Sequence, residues 1–492
     1  MLLAGCPALD PPDLTPDPDA GGTHLVRLVH ITDPQIVDEE SPARSVRTDG
    51  IIGVSWRPQE AYAIHTLDAT LRRINTIHER GGAEGRPVDF VVMTGDLADL
   101  AQFNELQWFM DTMDGKVVTP DSGVADGAAR DRLEARNPKL PYAATGLDTA
   151  IPWYTCYGNH DALATGNFAI DRGASNPEEW FAPLFPIVAD VIGYHLLDPA
   201  WDFMLPTADR SPAIVTGSGP PLGPDGLQVD LAALEAGPIA PDPARRFLSK
   251  RDFIALHLES TGSPAGHGFS QAALSRGETW FSVRPLADVP VRLIVFDTVA
   301  AGAHYGLPLY YGALTRQHLD NFIIPALEAA TKAGEWIVLA SHHPPDDFAI
   351  PFPDATVGTD EFHATVSRYP GVVLHLVGHT HRNRARTIPG TFPYIEIETS
   401  AIIDFPQEGR ILDLFVADDG RSVRIESTLF SHAEAPTTFS AESYRRALLD
   451  WGLRKASPSG APGQAGELAH DQADSNPAGA AGDRDVTWVL TR

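Results

Sequence analysis

The sequence predicts an α/β protein, and three observations carry that prediction. Short apolar runs rich in β-branched residues, such as 88–94, 291–296 and 372–377, have the length of buried strands. Helical periodicity separates them, most clearly over 58–80, where Ala61, Ile64, Leu67, Leu71, Ile74 and Ile77 share one face. Five of the runs end abruptly in a polar set of carboxylate, amide or imidazole residues. In open α/β sheets, ligands bind in the crevice beyond the strand ends.

In chain order, residues 1–23 are rich in Pro, Asp and Gly and are expected to form a flexible tether. Within them, Leu3-Ala4-Gly5-Cys6 resembles a bacterial lipobox. Only five residues precede Cys6, so the charged and apolar regions of a signal are missing, and an upstream start codon would restore them. The expectation is a lipid anchor and a place in the bacterial cell envelope, with the cytoplasm as the alternative if the match is chance.

A single large domain is expected over 24–435. Residues 24–32 read as the first core strand, ending at Asp33-Pro34-Gln35. Residues 38–55 look like a loop and 58–80 a helix. Residues 88–94 form a second strand ending in Gly95-Asp96-Leu97-Ala98-Asp99, and a helix follows near 103–113. Residues 114–150 read as a polar insertion. The strand 153–157 ends in Gly158-Asn159-His160-Asp161. The long stretch 162–285, rich in Pro and Gly, reads as an insertion or lid over the cleft. Residues 291–296 form another strand, and 314–333 a helix kinked at Pro325. The strand 336–340 ends in Ser341-His342-His343-Pro344-Pro345, and 372–377 ends in Gly378-His379-Thr380-His381. Strands are expected at 394–398, 411–416 and 423–430. Residues 436–492 make a C-terminal helix (439–453), a low-complexity, disordered tail (456–484) and a short returning strand (486–490).

Composition narrows the functional classes. Lys and Arg number 37 against 65 Asp and Glu, a net charge of −28. So acidic a surface repels nucleic acid and anionic membranes, which argues against a nuclease. The two cysteines exclude a disulfide framework and a thiolate-rich zinc site. No run of eighteen apolar residues is present, so no spanning helix is expected, and membrane contact would come only through the N-terminal anchor.

Any one polar set has a mundane reading: Asp33 as a turn cap, Asn159 in a left-handed turn, His343 as a satisfied imidazole. Five in one chain, each just past a buried strand, point to one site built from oxygen and imidazole donors. Such donors suit Mn, Fe, Zn or Mg. The ordered blocks D-x-Q, G-D-x-x-D, G-N-H-D, H-x-P and G-H-x-H, spanning 33–381, resemble the calcineurin-like metallophosphoesterases.

That resemblance implies a four-layer α/β/β/α sandwich with two divalent cations about 3.5–4 Å apart that clamp a phosphoryl group. By the same resemblance, Asp33, Gln35, Asp96 and His381 would hold the first cation. Asp96, Asn159, His342 and His379 would hold the second, with Asp96 bridging. His160 would contact phosphate and protonate the leaving oxygen, and Asp161 would orient it. Asp99 would support a ligand from behind, and His343 would either do the same or face the substrate. Implied is hydrolysis of phosphate mono- or diesters by a metal-bound hydroxide, on a phosphorylated small molecule or other phosphoester. Gln35 stands where most of that family has histidine. A neutral amide oxygen there favours Mn²⁺ or Fe over Zn²⁺ or Mg²⁺. The alternative is a catalytically silent envelope-binding or scaffold protein that keeps the fold. The remaining histidines carry no motif; among them His267, in Gly266-His267-Gly268-Phe269, is best placed for substrate contact.

Overall fold

The computed structural model describes residues 22–39, 41, 57–123, 137–164, 166, 168–169, 242–299, 311–348, 355–456 and 476–492. The lipobox, most of 38–55, His195 and 170–241 lie outside the described residues.

The principal strands are β1 (Thr23–Ile31), β2 (Phe90–Met93), β3 (Trp153–Thr155), β4 (Phe281–Val283), β5 (Val291–Val295) and β6 (Trp336–Ala340). They continue as β7 (Val372–Val377), β8 (Arg384–Ile388), β9 (Tyr394–Glu398), β10 (Glu408–Val416), β11 (Ser422–Ser431) and β12 (Val486–Thr491). The principal helices are α1 (Ala63–Ala83), α2 (Phe103–Met113), α3 (Lys250–Glu259), α4 (Gln271–Arg276), α5 (Ile324–Lys332), α6 (Thr359–Val366) and α7 (Thr438–Ala456).

The strands form two six-stranded sheets, ordered β12-β11-β10-β1-β2-β3 and β8-β9-β7-β6-β5-β4. In the first, β1, β2 and β3 run parallel, with Leu28 opposite Phe90 and Val91 opposite Trp153. In the second, β5, β6, β7 and β9 run parallel. Parallel neighbours bring their C-terminal ends to one edge, so the five polar sets fall on two adjacent sheet edges.

Alternation along the second sheet separates its two faces. Leu293, Val295, Val338, Ala340, Leu374 and Leu376 join one buried cluster with β1, β2, α1 and α2. Ile294, Ile337 and Leu339 face the other way, against Leu327 of α5 and Phe362 and Val366 of α6. The layers are therefore helix, sheet, sheet, helix, as the resemblance implied. Two backbone bonds tie the sheets where the site lies: Ile402 N donates to Thr32 O (3.0 Å) and Ile403 N to Asp33 O (3.1 Å).

Three expectations are corrected. Of the expected insertion 162–285, the described segment 242–285 contributes side chains and a strand to the core. Phe253, Ile254, Leu256 and Phe269 are buried in the main cluster, and β4 adds the last strand to the second sheet. Burying side chains of this size contributes roughly 1.5–3 kcal/mol each. The expected kinked helix over 314–333 begins instead as a short strand pair at Leu314–Thr315, then winds into a wide π-helical turn at Leu319–Ile323. Pro325 has no N–H, and widening the preceding turn accommodates the missing bond. Residues 476–484, placed in the disordered tail, are ordered against the loop after β7, as shown by Asn383 N donating to Pro477 O at 2.9 Å. Among the described residues no helix is long and apolar enough to cross a membrane.

Candidate metal centre

The loops that leave β1, β2 and β7 are bent hard. Asp33 (φ 50°), Gln35 (39°), Asp96 (53°), His379 (68°) and His381 (53°) all lie in the left-handed region. Each costs about 1–3 kcal/mol for a residue with a side chain and persists only where its surroundings over-determine it. Five of the seven expected ligands share this conformation, which turns their side chains back across the strand ends. Close approach demands glycine beside them. A Cβ on Gly158 would lie 2.1 Å from Asp96 Oδ1, and one on Gly378 would lie 2.1 Å from Thr32 Oγ1 and 2.7 Å from Asp33 Oδ2.

The seven side chains converge. Asp33, Asp96 and His342 offer donor atoms within 4.8 Å of one another, and so do His342, His343 and His379. His342 Nε2 lies 2.8 Å from Asn159 Oδ1 and 3.3 Å from Asp96 Oδ2. His379 Nδ1 lies 3.1 Å from the same Asn159 oxygen. His381 Nε2 lies 3.3 Å from Asp33 Oδ1, and Gln35 Nε2 donates to Asp96 Oδ2 at 3.3 Å. The two groups share His342, and Asp96 Oδ2 lies 3.3 Å from both His342 Nε2 and Gln35 Nε2.

The outer contacts fix which atoms face inward. His342 Nδ1 donates to Thr94 O (2.7 Å), which leaves Nε2 as the lone-pair nitrogen. His381 Nδ1 donates to Asp404 Oδ2 (2.7 Å), which likewise frees its Nε2. Asn159 Nδ2 donates to Gly166 O (3.0 Å), so Oδ1 is the inward atom. In a neutral His342, lone pair would face lone pair at 2.8 Å; a proton on Nε2 donated to Asn159 Oδ1, or a shared cation, resolves the contact. Gln35 Oε1 is buried without a hydrogen-bond partner, while Asp33 Oδ1 faces His381 Nε2 at 3.3 Å. An orphaned buried oxygen is costly unless it has a ligand. The donor set thus fits divalent cations.

Electrostatics agree. Burial opposes charge on both His342 and His381, yet Asp96 raises the first to about 9 and Asp33 raises the second to about 9. Burial would also raise the Asp96 carboxyl, but His342 and His160 hold it well below the usual range. Protons here supply the positive charge that the carboxylates demand. His343 and His379 are held well below the ordinary imidazole range by burial and by neighbouring imidazoles.

His160 follows Asn159 on a single helical turn, Asn159–Ala162. Its backbone N–H donates to Asp96 Oδ1 (2.8 Å) and its Nδ1 to Asp99 O (2.6 Å), with Asp99 Oδ1 at 3.4 Å. The ring is therefore oriented by Asp99. Asp161 does not orient it. The Asp161 carboxylate accepts from the backbone N–H of Leu97 (2.9 Å), Ala98 (3.0 Å) and Gly158 (2.9 Å), clamping the second and third loops together. His343 turns its Nδ1 to Thr298 Oγ1 (2.8 Å), and its ring lies 4.4 Å from that of His379, beside the centre. His267 is buried, stacked on Trp153 at 3.4 Å, and is a packing residue, not a substrate contact.

Sequence reasoning missed Asp404 and Arg57. Asp404 lies after β9 in a loop that no motif marks. Arg57 Nε donates to Asp404 Oδ2 (3.0 Å), and its Nη1 lies 3.5 Å from Asp99 Oδ1. A carboxylate behind a ligand imidazole has no sequence spacing of its own, so nothing along the chain announces either residue.

No protein-family profile matches the sequence. No curated protein matches it either. Among solved structures, the chain is similar to a dimetal phosphatase from Danio rerio at 11% identity and a TM-score of 0.36, over 83% of this chain and 99% of that one. That likeness is too low to carry activity or residue roles across.

Proposed function

We propose that this protein is a metal-dependent phosphoesterase that hydrolyses phosphate mono- or diesters at a two-cation centre. The observation that carries the reading is the convergence of five strand-end sets on one buried point, where His342 Nε2 and His379 Nδ1 both meet Asn159 Oδ1 and Gln35 Oε1 is buried without a hydrogen-bond partner. Asp33, Gln35, Asp96 and His381 would hold one cation, and Asp96, Asn159, His342 and His379 would hold the other. Such cations supply Lewis acidity, neutralising phosphoryl charge and acidifying water.

The chain's own residues do the rest. Thr94 O, Asp404 and Gly166 O pre-orient His342, His381 and Asn159, so little reorganisation accompanies loading. His160, whose side chain is 15% exposed, stands at the edge of the centre with Nδ1–H committed to Asp99, so Nε2 is its working atom towards a phosphate or leaving oxygen. The oxygen and imidazole donors, with Gln35 neutral, favour Mn²⁺ or Fe.

The experiment is metal titration. Protein equilibrated with Mn²⁺ approaches two ions per chain and hydrolyses p-nitrophenyl phosphate or its bis-ester. Asp96→Asn loses both activity and most of the second ion, because the bridge serves both. Two tightly held ions in that variant would reject the shared carboxylate, and no Mn²⁺ uptake by the wild type would reject the function.

A further inference from the structure

We propose that Arg57 is a positioning residue that couples the two ends of the centre, holding at once the carboxylate behind His381 and the carboxylate beside His160. The inference rests on the metal-dependent reading above and concerns a residue that reading does not use.

The guanidinium is all but buried, with 3% of the side chain exposed. Its Nε donates to Asp404, whose Oδ2 accepts from His381 Nδ1. Its Nη1 lies against Asp99, whose carbonyl and carboxylate both face His160 Nδ1. A single side chain thus stands one residue behind a proposed ligand and one residue behind the proposed proton donor. Its own position is secured from behind. Arg57 N donates to Glu60 Oε1 (2.6 Å), and Gln59 Nε2 donates to Asp404 Oδ1 (2.9 Å) and to Ile403 O (3.3 Å). Asp404 is therefore held through both oxygens before it meets His381.

Charge explains why an arginine is needed. Asp33, Asp96, Asp99 and Asp404 crowd one buried region, and their mutual repulsion would spread the loops that carry them. A guanidinium offers five donors on a rigid plane, so it can serve two carboxylates in different directions. A lysine ammonium delivers the same charge from one point on a flexible stem and cannot fix both. Groups behind metal ligands commonly change metal affinity or activity by about 10–100-fold when removed. A residue that only filled this buried space would change stability and leave metal affinity alone.

The test uses the full chain and Mn²⁺ as probe, with Arg57→Lys and Arg57→Met. By calorimetric titration, one of the two Mn²⁺ affinities falls about 10–100-fold in both variants, because charge without the fork does not restore Asp404. At saturating Mn²⁺, kcat for p-nitrophenyl phosphate falls while KM holds, since Arg57 touches no substrate. Asp404→Asn alone lowers the same affinity, and adding Arg57→Met to it costs no more than Asp404→Asn does by itself. Should Arg57→Met not fold, Arg57→Lys carries the test. Wild-type affinity for both ions in Arg57→Lys, with only a lower melting temperature, would overturn the inference while leaving the metal centre standing. Failure of the wild type itself to bind Mn²⁺ would instead strike the underlying reading.

Discussion

At the scale of single residues, neighbours in sequence have unlike jobs. Asn159, His160 and Asp161 share one helical turn, where consecutive side chains point about 100° apart and do not face each other. Asn159 turns inward, His160 lies along the edge, and Asp161 turns back onto three backbone N–H groups. That is why Asp161, adjacent to His160 on paper, does not orient it. If His160 is the general acid, its help matters most when the leaving oxygen is basic. His160→Ala should keep both metal ions and lose roughly 10²–10⁴-fold in rate on an alkyl phosphate, and less on a nitrophenyl ester. Equal losses on the two esters would assign the ring to phosphate binding instead. The convergence of the seven proposed ligand side chains was legible because each lies just past a buried strand, so a one-dimensional signal marks a three-dimensional edge. Asp404, Asp99 as the orienting group and Arg57 were not legible in those roles, because they act through space across 42 and 347 residues of chain.

At the scale of elements, strands were read almost to the residue, from apolar runs at β6 and β7 and from alternation at β9. Elements defined by their partners were not. β4 is three residues long and exists because it pairs with β5, and β8 carries three exposed or half-buried polar residues before its pattern turns inward. α3 is a core helix whose burial comes from α2 and β3, so its own periodicity gave little warning. The C-terminal segment is the element with the largest untested consequence. Besides pairing β12 with β11, it places Pro477 O on Asn383 N (2.9 Å), Asp483 Oδ1 on Ala385 N (3.0 Å) and Asp483 O on Arg410 Nη2 (2.8 Å). Asn383 stands two residues beyond His381. A chain ending at residue 475 leaves the Asn383 and Ala385 N–H groups without these acceptors and takes one of the two acceptors from Arg410 Nη2, which keeps Asn383 Oδ1 at 3.3 Å, at roughly 1–3 kcal/mol for each buried group left unpaired. Such a chain should melt several degrees lower and bind Mn²⁺ more weakly at the His381 position. An unchanged melting temperature and affinity would show that the segment merely rests on the surface.

At the scale of the whole molecule, the acidic balance and the buried carboxylates together set a pH optimum for stability. Two kinds of buried carboxyl pull in opposite directions. Burial works against the charge on Glu396, but His375 and Arg386 hold it down to about 2. Burial likewise opposes Asp413, which His24 and Arg27 hold below the ordinary range. A folded-state pKa below the unfolded one means that stability is present above the ordinary carboxyl pKa of about 4–4.5 and is lost as pH falls through the depressed value. Glu105 is the reverse case. Burial and then the charge of Asp99 raise it well above its usual range, and burial raises Glu408 as well. Their contribution is complete below about 4.5 and is lost as pH rises through the raised value. The net charge of −28 adds a self-repulsion that also fades on the way down to a pI near 4.9. Buried imidazoles oppose that limb: burial holds His30, His257, His267, His318 and His432 at about 3 to 4, so their contribution is lost as pH falls below the ordinary imidazole value of about 6.5. Stability of the chelated protein should therefore rise as pH falls from 8 towards about 6.5, then decline through the acid range. For Glu396 alone, the drop between its ordinary value and about 2 is on the order of 3 kcal/mol. Melting temperatures measured from pH 2 to 8 test the curve, and Glu396→Gln tests its acid limb. The variant starts less stable at neutral pH and loses less on acidification, so the two curves converge. If they stay parallel below pH 4, the acid limb belongs to other titrating groups and the role given to the His375–Glu396–Arg386 cluster is wrong.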